Sequence, residues 1–378
     1  MFCKHCVYVY VLLSKMAAPN QDFDNNLHNL LFINEFYNND EEVALLFDVE
    51  RNRDVREQTY DPLWPKLELD ELTRAQAFGY FRFDVEDIRL LTIKLGLPEK
   101  IVLPSRNTVT GEEGLCMLLR RLCYPNRLFD VEKLFGRPSS TLSLGIKAVV
   151  DILYQRHQHR LSDVQQPWLI RRLQTYADTI SEMAPLTTCV GFVDGTVRPI
   201  CRPTHLQRVT YNGHKRVHAL KFQSVVVPDG MILDMFGPVE GRRHDCALLR
   251  ESGLLDRLEE LPLDRNGHRF CIYGDPAYPI REQLIPPYRG ANLTAAQEAF
   301  NRGMSSVREC VEWQFGKILS QFAFLDFKKN LKVFLQPVAK YYLIGALLTN
   351  CHTCIYESQT GAYFGLQAPT LNEYLGLE

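Results

Sequence analysis

The amino-acid sequence predicts an α/β fold preceded by an all-α unit. Apolar residues recur at helical spacing through residues 84–160, whereas from Thr187 onwards they follow the spacing of strands. The later elements are then predicted to be three strands with a hairpin, a helix, a fourth strand and a long helix at Ser305 to Phe322. Strands and helices in this order are typical of a sheet covered by helices.

Composition excludes several classes of protein. The 378 residues carry 43 Lys and Arg against 45 Asp and Glu, so the chain is not a polycation and any nucleic-acid site must be local. The 11 cysteines are scattered and lie mostly in apolar stretches, which predicts reduced thiols rather than a disulfide framework. The longest apolar runs, Val7 to Leu13 and Tyr341 to Leu348, are shorter than the roughly 20 residues that span a bilayer, so no membrane partner is expected.

Residues 1–83 are predicted to form an acidic, partly disordered arm. Between residues 20 and 60 there are ten acidic and three basic residues among clustered asparagines. The stretch MAAPNQ from Met16 resembles a natural translation start, so residues 1–15 are interpreted as an extension or as an artefact of the assigned start.

Residues 84–160 are predicted to form a helical domain with a helix-turn-helix-like layout. Its last three helices are predicted at Glu112 to Tyr124, Leu128 to Phe135 and Thr141 to about Arg156. Ser139 or Ser140 is expected to cap the last of these helices. A short helix, a glycine turn and a longer helix form the layout that places a recognition helix on DNA, and Lys147 would be exposed on that helix. A helical bundle that serves only packing or dimerisation is the alternative.

Carboxylates that could carry chemistry lie in residues 187–356, the predicted α/β core. Asp194 and Asp275 each stand where an apolar strand ends, beside a glycine, and Glu312 lies on the long helix one turn after Arg308. Strand ends are where α/β folds bind ligands, and clustered carboxylates stay ionised only beside a cation. Mg²⁺ prefers such oxygen ligands, and two ions about 4 Å apart can activate water and stabilise the leaving oxygen of a phosphodiester. Solvated acids and helix caps are the alternative interpretation.

Four motifs resemble those of Harbinger-type (PIF/Harbinger) transposases and the nuclease-like proteins derived from them. In order along the chain they are GFVDGTVRPI, PVEGRRHDCALL, YGDPAYP and SVRECVEWQFGKI, and the resemblance extends over about residues 90–353. The resemblance implies a ribonuclease H-like DDE catalytic core, with a mixed sheet flanked by helices. It also implies Mg²⁺ or Mn²⁺ as the cofactor, with two ions in the site.

The same resemblance implies that Asp194, Asp275 and Glu312 are the catalytic, metal-binding residues. Glu309 is the nearest rival for the third position, but the Phe-Gly pair that follows fits the motif only with Glu312. Asp245, at the end of the Arg-Arg-His-Asp segment, is a further candidate metal ligand, a supporting group for the ligands or a helix cap.

A basic surface is predicted beside the first aspartate. The 34 residues from Gly195 to Pro228 contain no carboxylate, whereas 45 acidic residues in a chain of 378 would place about four there. Nine basic residues are the candidates for contact with DNA: Arg198, Arg202, Arg208, Lys215, Arg216, Lys221, Arg242, Arg243 and, in the helical domain, Lys147. A solvated hairpin with random charge is the alternative. Tyr211 and Tyr278 either stack on bases or pack in the core, and packing is the simpler expectation.

Two cysteine pairs have half of a zinc-site spacing, Cys3-x-x-Cys6 and Cys351-His352-x-Cys354. No segment between them completes a set of four ligands, so the second pair is interpreted as the end of a packing helix. A tail is predicted to follow at residues 357–378.

Together these features predict a metal-dependent DNA endonuclease or transposase that hydrolyses phosphodiester bonds by a two-metal DDE mechanism, with subsequent strand transfer left open. Two alternatives are a domesticated, catalytically silent DNA-binding protein that keeps the fold, and a metal-dependent phosphatase of small molecules. The resemblance implies double-stranded DNA and a Myb/SANT-like accessory protein as partners, with a homo-oligomer as a further candidate assembly. It also implies a nuclear location, with the cytoplasm as a second location.

Overall fold

The computed structural model describes residues 64–377. The predictions for residues 1–15, for most of the acidic arm and for the Cys3 and Cys6 pair lie outside the described residues. Through residues 64–377 nearly all buried apolar side chains form one continuous core. None of the helices in this range is long and apolar enough to cross a membrane.

The N-terminal part is helical and contains one two-stranded hairpin. Its elements are α1 (Arg74–Phe81), α2 (Val85–Lys94), β1 (Lys100–Val102), β2 (Thr108–Thr110), α3 (Gly111–Cys123), α4 (Leu128–Phe135) and α5 (Ser139–His157). Helix α1 begins before residue 84, where the helical domain was predicted to start, with a capping box at Thr73. Phe81 and Phe83 are fully buried and join the same core as the later helices.

The three helices predicted in this part are present, but the start of α5 is capped differently. Gly136 ends α4 in the left-handed conformation (φ 55°), which glycine adopts without strain. Pro138, rather than Ser139 or Ser140, precedes the first helical residue. The buried Glu132 carboxylate accepts a hydrogen bond from the Ser139 backbone N–H at 2.7 Å. An anion on the preceding helix therefore satisfies the amide end of α5 and suits the positive end of its dipole.

Two helices, α6 (Pro167–Ile170) and α7 (Leu173–Met183), lead into a six-stranded mixed sheet. Its strands are β3 (Cys189–Pro199), β4 (Tyr211–Asn212), β5 (Val217–Val226), β6 (Ile232–Glu240), β7 (Cys271–Tyr273) and β8 (Leu284–Ile285). Strands β6, β5 and β3 are antiparallel neighbours, and β7 and β8 extend the sheet on the other side of β3 in parallel. The short β4 pairs with the start of β5.

Helices flank this sheet, which confirms the predicted α/β fold with a mixed sheet. They are α8 (Gln207–Thr210), α9 (Asp245–Ser252), α10 (Leu254–Glu259), α11 (Ala295–Gln321), α12 (Val338–Tyr356), α13 (Gln359–Phe364) and α14 (Leu371–Leu375). Helix α12 is buried on nearly all sides and packs against α5, α11 and β6. Because α12 contacts both parts of the chain, the helical part and the sheet share one core.

In the segment predicted as a C-terminal tail, α13 and α14 fold back onto the core. Tyr374 is fully buried, and its hydroxyl accepts a hydrogen bond from the Asn350 side-chain amide at 3.0 Å. The same amide bonds both backbone groups of Ile232 at 2.8 Å. These bonds satisfy polar groups that would be costly to leave unpaired inside the protein, and they tie α12 and α14 to strand β6.

Candidate active site

Asp194 and Asp275 occupy equivalent positions on two neighbouring strands. The parallel pairing of β3 with β7 ends at Phe192 and Tyr273, and each aspartate lies two residues further along its chain segment. Neighbouring strands are about 4.8 Å apart, so the two carboxylates follow the same edge of the parallel part of the sheet. Strand β3 does not end at Asp194, as the sequence predicts, but continues to Pro199, because β5 remains paired with it.

The Asp194 carboxylate is held by one backbone amide and one cation. Its Oδ1 accepts hydrogen bonds from the Gly195 N–H at 2.9 Å and forms an ion pair with Arg308 Nη2 at 3.1 Å. Burial raises the pKa of Asp194, and the neighbouring charges of Asp275 and Asp245 raise it further. The Arg308 guanidinium and the amide of Gly195 act in the opposite direction. The charges of two further carboxylates therefore act on Asp194, and Arg308 partly compensates them.

Asp245 belongs to the same group of carboxylates and does not cap its helix. It is the first residue of α9, and the preceding His244 makes no side-chain capping bond. Asp245 Oδ1 forms an ion pair with Lys221 Nζ at 2.8 Å, and Lys221 also donates to the Arg243 carbonyl at 2.7 Å. The carboxylate rests against Gly195, where an added Cβ would lie only 2.5 Å from Oδ1. Lys221 and the absence of a side chain at Gly195 thus set the position of Asp245.

Tyr278 lies beneath the three aspartates. Its side chain is fully buried, and its hydroxyl donates to Gln223 Oε1 at 3.5 Å. Burial raises the pKa of Tyr278 well above its usual value, and the charges of Asp245, Asp194 and Asp275 add to the shift. The charges of all three carboxylates thus act on this one hydroxyl. The tyrosine itself packs in the core.

Glu312 lies on α11, on the helix side that faces β3, but its side chain is exposed. One turn earlier Arg308 pairs with Asp194, and three residues later the Phe315 ring lies under the Arg198 guanidinium of β3 at 5.7 Å. Residues three and four positions apart share one side of a helix, so Glu312 stands between these two contacts. Within residues 64–377 its carboxylate has no ion-pair partner.

The chemistry of this group fits a hard divalent cation, whereas its arrangement does not yet form a ligand set. Asp194, Asp245 and Asp275 offer only oxygen donors, and their combined charge favours a cation among them. Across the described part of the chain, however, no group of three or more His, Cys, Asp or Glu side chains is arranged to hold a metal ion. Arg308 already bonds Asp194, and the Glu312 side chain is exposed. An ion that binds Asp194 Oδ1 has to compete with Arg308 for that oxygen.

Two residues predicted to contact DNA have interior roles instead. Lys221 is buried and paired with Asp245. The Arg198 guanidinium lies over the rings of Phe315 and Tyr342, at 5.7 Å and 5.4 Å from their centroids. Cations that are enclosed by ion pairs or aromatic rings cannot reach a phosphate without breaking those contacts, so these contacts weigh against a role in DNA binding for both residues, which stays a prediction.

The other predicted basic residues differ in exposure. Arg243 is enclosed by ion pairs with Glu240 at 3.2 Å and Glu251 at 3.3 Å, and these pairs weigh against a contact with DNA. Tyr211 is exposed, with its ring edge-on to His218. Lys147 on α5 is half-buried. Five of the predicted residues are exposed: Arg202, Arg208, Lys215, Arg216 and Arg242.

The cysteine pair near the C-terminus is part of a packing helix. Cys351 lies fully buried in α12, and Cys354 is half-buried near the end of the same helix. Burial raises the pKa of Cys354 well above its usual value, which favours the protonated thiol over the thiolate that binds zinc.

Residues 193–350 match the family model described as DDE superfamily endonuclease. This segment is similar to DDE endonucleases. It contains all three aspartates, Glu312 and Arg308, so the predicted resemblance to transposase-derived nucleases is supported for this domain at the level of the DDE superfamily. Comparisons with curated proteins and with solved structures found no match.

Sequence reasoning left two residues of this site without a role there. Arg308 stands four residues before Glu312. A cation and an acid at this spacing share one side of a helix, and this spacing is the sequence signal that could have placed Arg308 in the site. Lys221 is a single charged residue within the apolar strand β5, and a lone charge in such a strand indicates a buried partner.

Proposed function

We propose that the DDE endonuclease-like domain cleaves DNA with the help of divalent metal ions and has a ribonuclease H-like core. The strand order supports the core assignment, since antiparallel β6, β5 and β3 are extended by parallel β7 and β8. The observation that carries the functional proposal is the equivalent placement of Asp194 and Asp275, two residues beyond the last parallel pair, with Asp245 beside them.

Asp194, Asp275 and Glu312 would hold Mg²⁺ or Mn²⁺, with Asp245 as a neighbouring carboxylate. When two ions are bound, they supply an activated water and stabilisation of the leaving oxygen. The chain contributes the arrangement around them. The Gly195 amide orients Asp194, and Lys221 anchors Asp245.

We further propose that α4 and α5 act as a helix-turn-helix unit. Gly136 forms the turn between them, and Ser140 and Ser143 are exposed near the start of α5, where a recognition helix presents its side chains. A Myb/SANT-like partner and a nuclear location follow from the Harbinger resemblance alone and belong to the same proposal.

A second candidate function is that of a catalytically silent DNA-binding protein. The pairing of Arg308 with Asp194 favours it, because a guanidinium occupies the carboxylate that an ion would need. An intact set of acidic residues favours the nuclease.

Nicking of supercoiled plasmid with Mg²⁺ or Mn²⁺ distinguishes the two functions. Asp194→Asn, Asp275→Asn and Glu312→Gln are each expected to lower the rate by about 100-fold or more. The matched control is Glu309→Gln, an exposed residue about one turn before Glu312 on α11, which should keep the wild-type rate.

The outcomes of this experiment separate the candidates. Nicking that survives Asp194→Asn would reject the assigned site. DNA binding in a gel-shift assay, without nicking by the wild type under either ion, would favour the silent binding protein.

A further inference from the structure

A second basic segment lies far from the first in sequence. After Asp326 the chain contains no acidic residue through Tyr356, and three lysines stand at the start of this stretch. Lys328, Lys329 and Lys332 are all exposed, and within residues 64–377 none of them forms an ion pair. Runs of charged residues are often only solvated surface. The position of the lysine segment in the fold therefore decides whether it can form a binding site.

The lysine segment is held against the chain that leaves strand β3. Leu331 and Val333 are buried and anchor it on either side of the exposed lysine between them. The Cys201 N–H donates to the Leu331 carbonyl at 3.0 Å. The His205 ring meets the Phe334 ring edge-on, with centroids 6.3 Å apart. Two stretches without acidic residues are thus fixed next to each other by backbone and side-chain contacts.

We propose that five exposed cations from these stretches form one site for the phosphate backbone of DNA. We name it the phosphate surface, and it consists of Arg202, Arg208, Lys328, Lys329 and Lys332. Phosphate binding by lysine and arginine is additive and needs no base contact. The proposal rests on the proposed function, because it assigns the partner of this surface as the DNA that the carboxylates cleave.

The position of the phosphate surface relative to Asp194 defines how much DNA it needs. Strand β3 runs five residues from Asp194 to Pro199, which is about 16 Å at ~3.3 Å per residue. Duplex DNA advances ~3.4 Å per base pair, and the surface begins at Arg202, three residues beyond the end of β3, so it would meet the backbone about five base pairs or more from the scissile bond. Continuity along one strand with the candidate active site favours DNA over other anionic partners.

The test measures the salt dependence of DNA binding, separately from cleavage. A 30-base-pair duplex of mixed sequence is titrated by fluorescence anisotropy at 50 to 200 mM NaCl, in the Asp194→Asn background so that the probe stays intact. The triple variant Lys328→Gln/Lys329→Gln/Lys332→Gln should reduce the slope of log affinity against log salt by about 2.7, at ~0.9 per lost phosphate contact. The affinity gap between the two proteins should then shrink about 40-fold over this salt range.

The matched control removes three exposed cations from a charge-balanced groove of the helical part. Lys66, Lys100 and Arg106 line this groove together with four glutamates. Their replacement by Gln removes the same charge and should leave the slope within about 0.5 of the parent, because this groove has no net positive charge to attract phosphate.

Each outcome decides the proposal. An unchanged slope in the lysine variant, while the wild type nicks plasmid, would overturn the phosphate surface and leave the nuclease intact. A reduced slope without nicking by the wild type would support the surface and reject the nuclease. An equal reduction of the slope in the control variant, or a parent protein that does not bind DNA, would overturn the assignment. So would a lysine variant that still binds DNA as the parent does but has lost binding to phosphatidylserine vesicles.

Discussion

The ion pair of Arg308 with Asp194 is predicted to stabilise the metal-free protein through the charge of the clustered carboxylates. Two unit charges about 4 Å apart interact by about 4 kcal/mol at an effective dielectric constant of about 20. The two side chains are 22% and 18% exposed, so solvent screens part of this energy. We therefore expect a coupling of about 1–3 kcal/mol between the two residues.

A double-mutant cycle measures this coupling. The free energies of unfolding in urea, with EDTA present, are compared for the wild type, Arg308→Gln, Asp194→Asn and the double variant. Arg308→Gln alone should be destabilising, and Asp194→Asn should relieve much of that loss because it removes the uncompensated charge. The matched control is Arg302→Gln on the same helix, whose ion pair with Glu298 spans 3.7 Å and whose side chain is 72% exposed. Its effect should stay within about 0.5 kcal/mol.

A cation should replace the guanidinium in the variant. Addition of Mg²⁺ is expected to stabilise Arg308→Gln more than the wild type, since the variant leaves the carboxylates without a counter-charge. A coupling below about 0.5 kcal/mol would refute the reasoning, because Arg308 would then not compensate the charge of Asp194.

Two further predictions concern residues that support the site and the core. Gly195→Ala should displace the Asp245 carboxylate, because the new Cβ would lie 2.5 Å from its Oδ1. We expect the rate of plasmid nicking to fall about tenfold or more. A variant that nicks at the wild-type rate would contradict this prediction. Burial raises the pKa of Asp229 to about 6 from its ordinary 3.8, against the hydrogen bonds donated by Tyr176 and Met231. Between pH 4 and 6 the native Asp229 carboxyl keeps a proton that the unfolded chain releases. The free energy of unfolding therefore falls as pH rises through this window, by up to about 3 kcal/mol from this group. Asp229→Asn should remove that part of the pH dependence in urea unfolding, and parallel profiles for both proteins would disprove it.

Local features of the fold are readable from the sequence because neighbouring residues set them. The helices α3, α4 and α5 follow from apolar spacing and from the glycine turn between the last two. Helix α11 starts at Ala295, ten residues before the predicted Ser305, and the signal was present in the Thr-x-x-Gln capping box at Thr294.

The candidate site is only partly readable in this way. Apolar segments followed by aspartate marked Asp194 and Asp275, although β3 continues past Asp194 to Pro199. The roles of Lys221 and Arg198 depend on which strand and helix lie against them. The alternation of inward- and outward-facing side chains along β3 or β5 does not show which elements these are. An acid-free stretch predicted both as surface cations, whereas pairing with β6 and packing against α11 bury or enclose them.

The sequence by itself determined helices α3, α4 and α5, the strands β3, β5, β6 and β7, and the apolar settings of the cysteines. It also singled out the acidic residues of the proposed site. Only the tertiary structure decided that Arg308 pairs with Asp194, that Asp245 rests on Gly195, and that the lysine segment adjoins the chain leaving β3. The reason is physical. Backbone conformation and amphipathic spacing are properties of neighbouring residues, whereas ion pairs and burial arise between segments that meet only when strand register and helix packing bring them together.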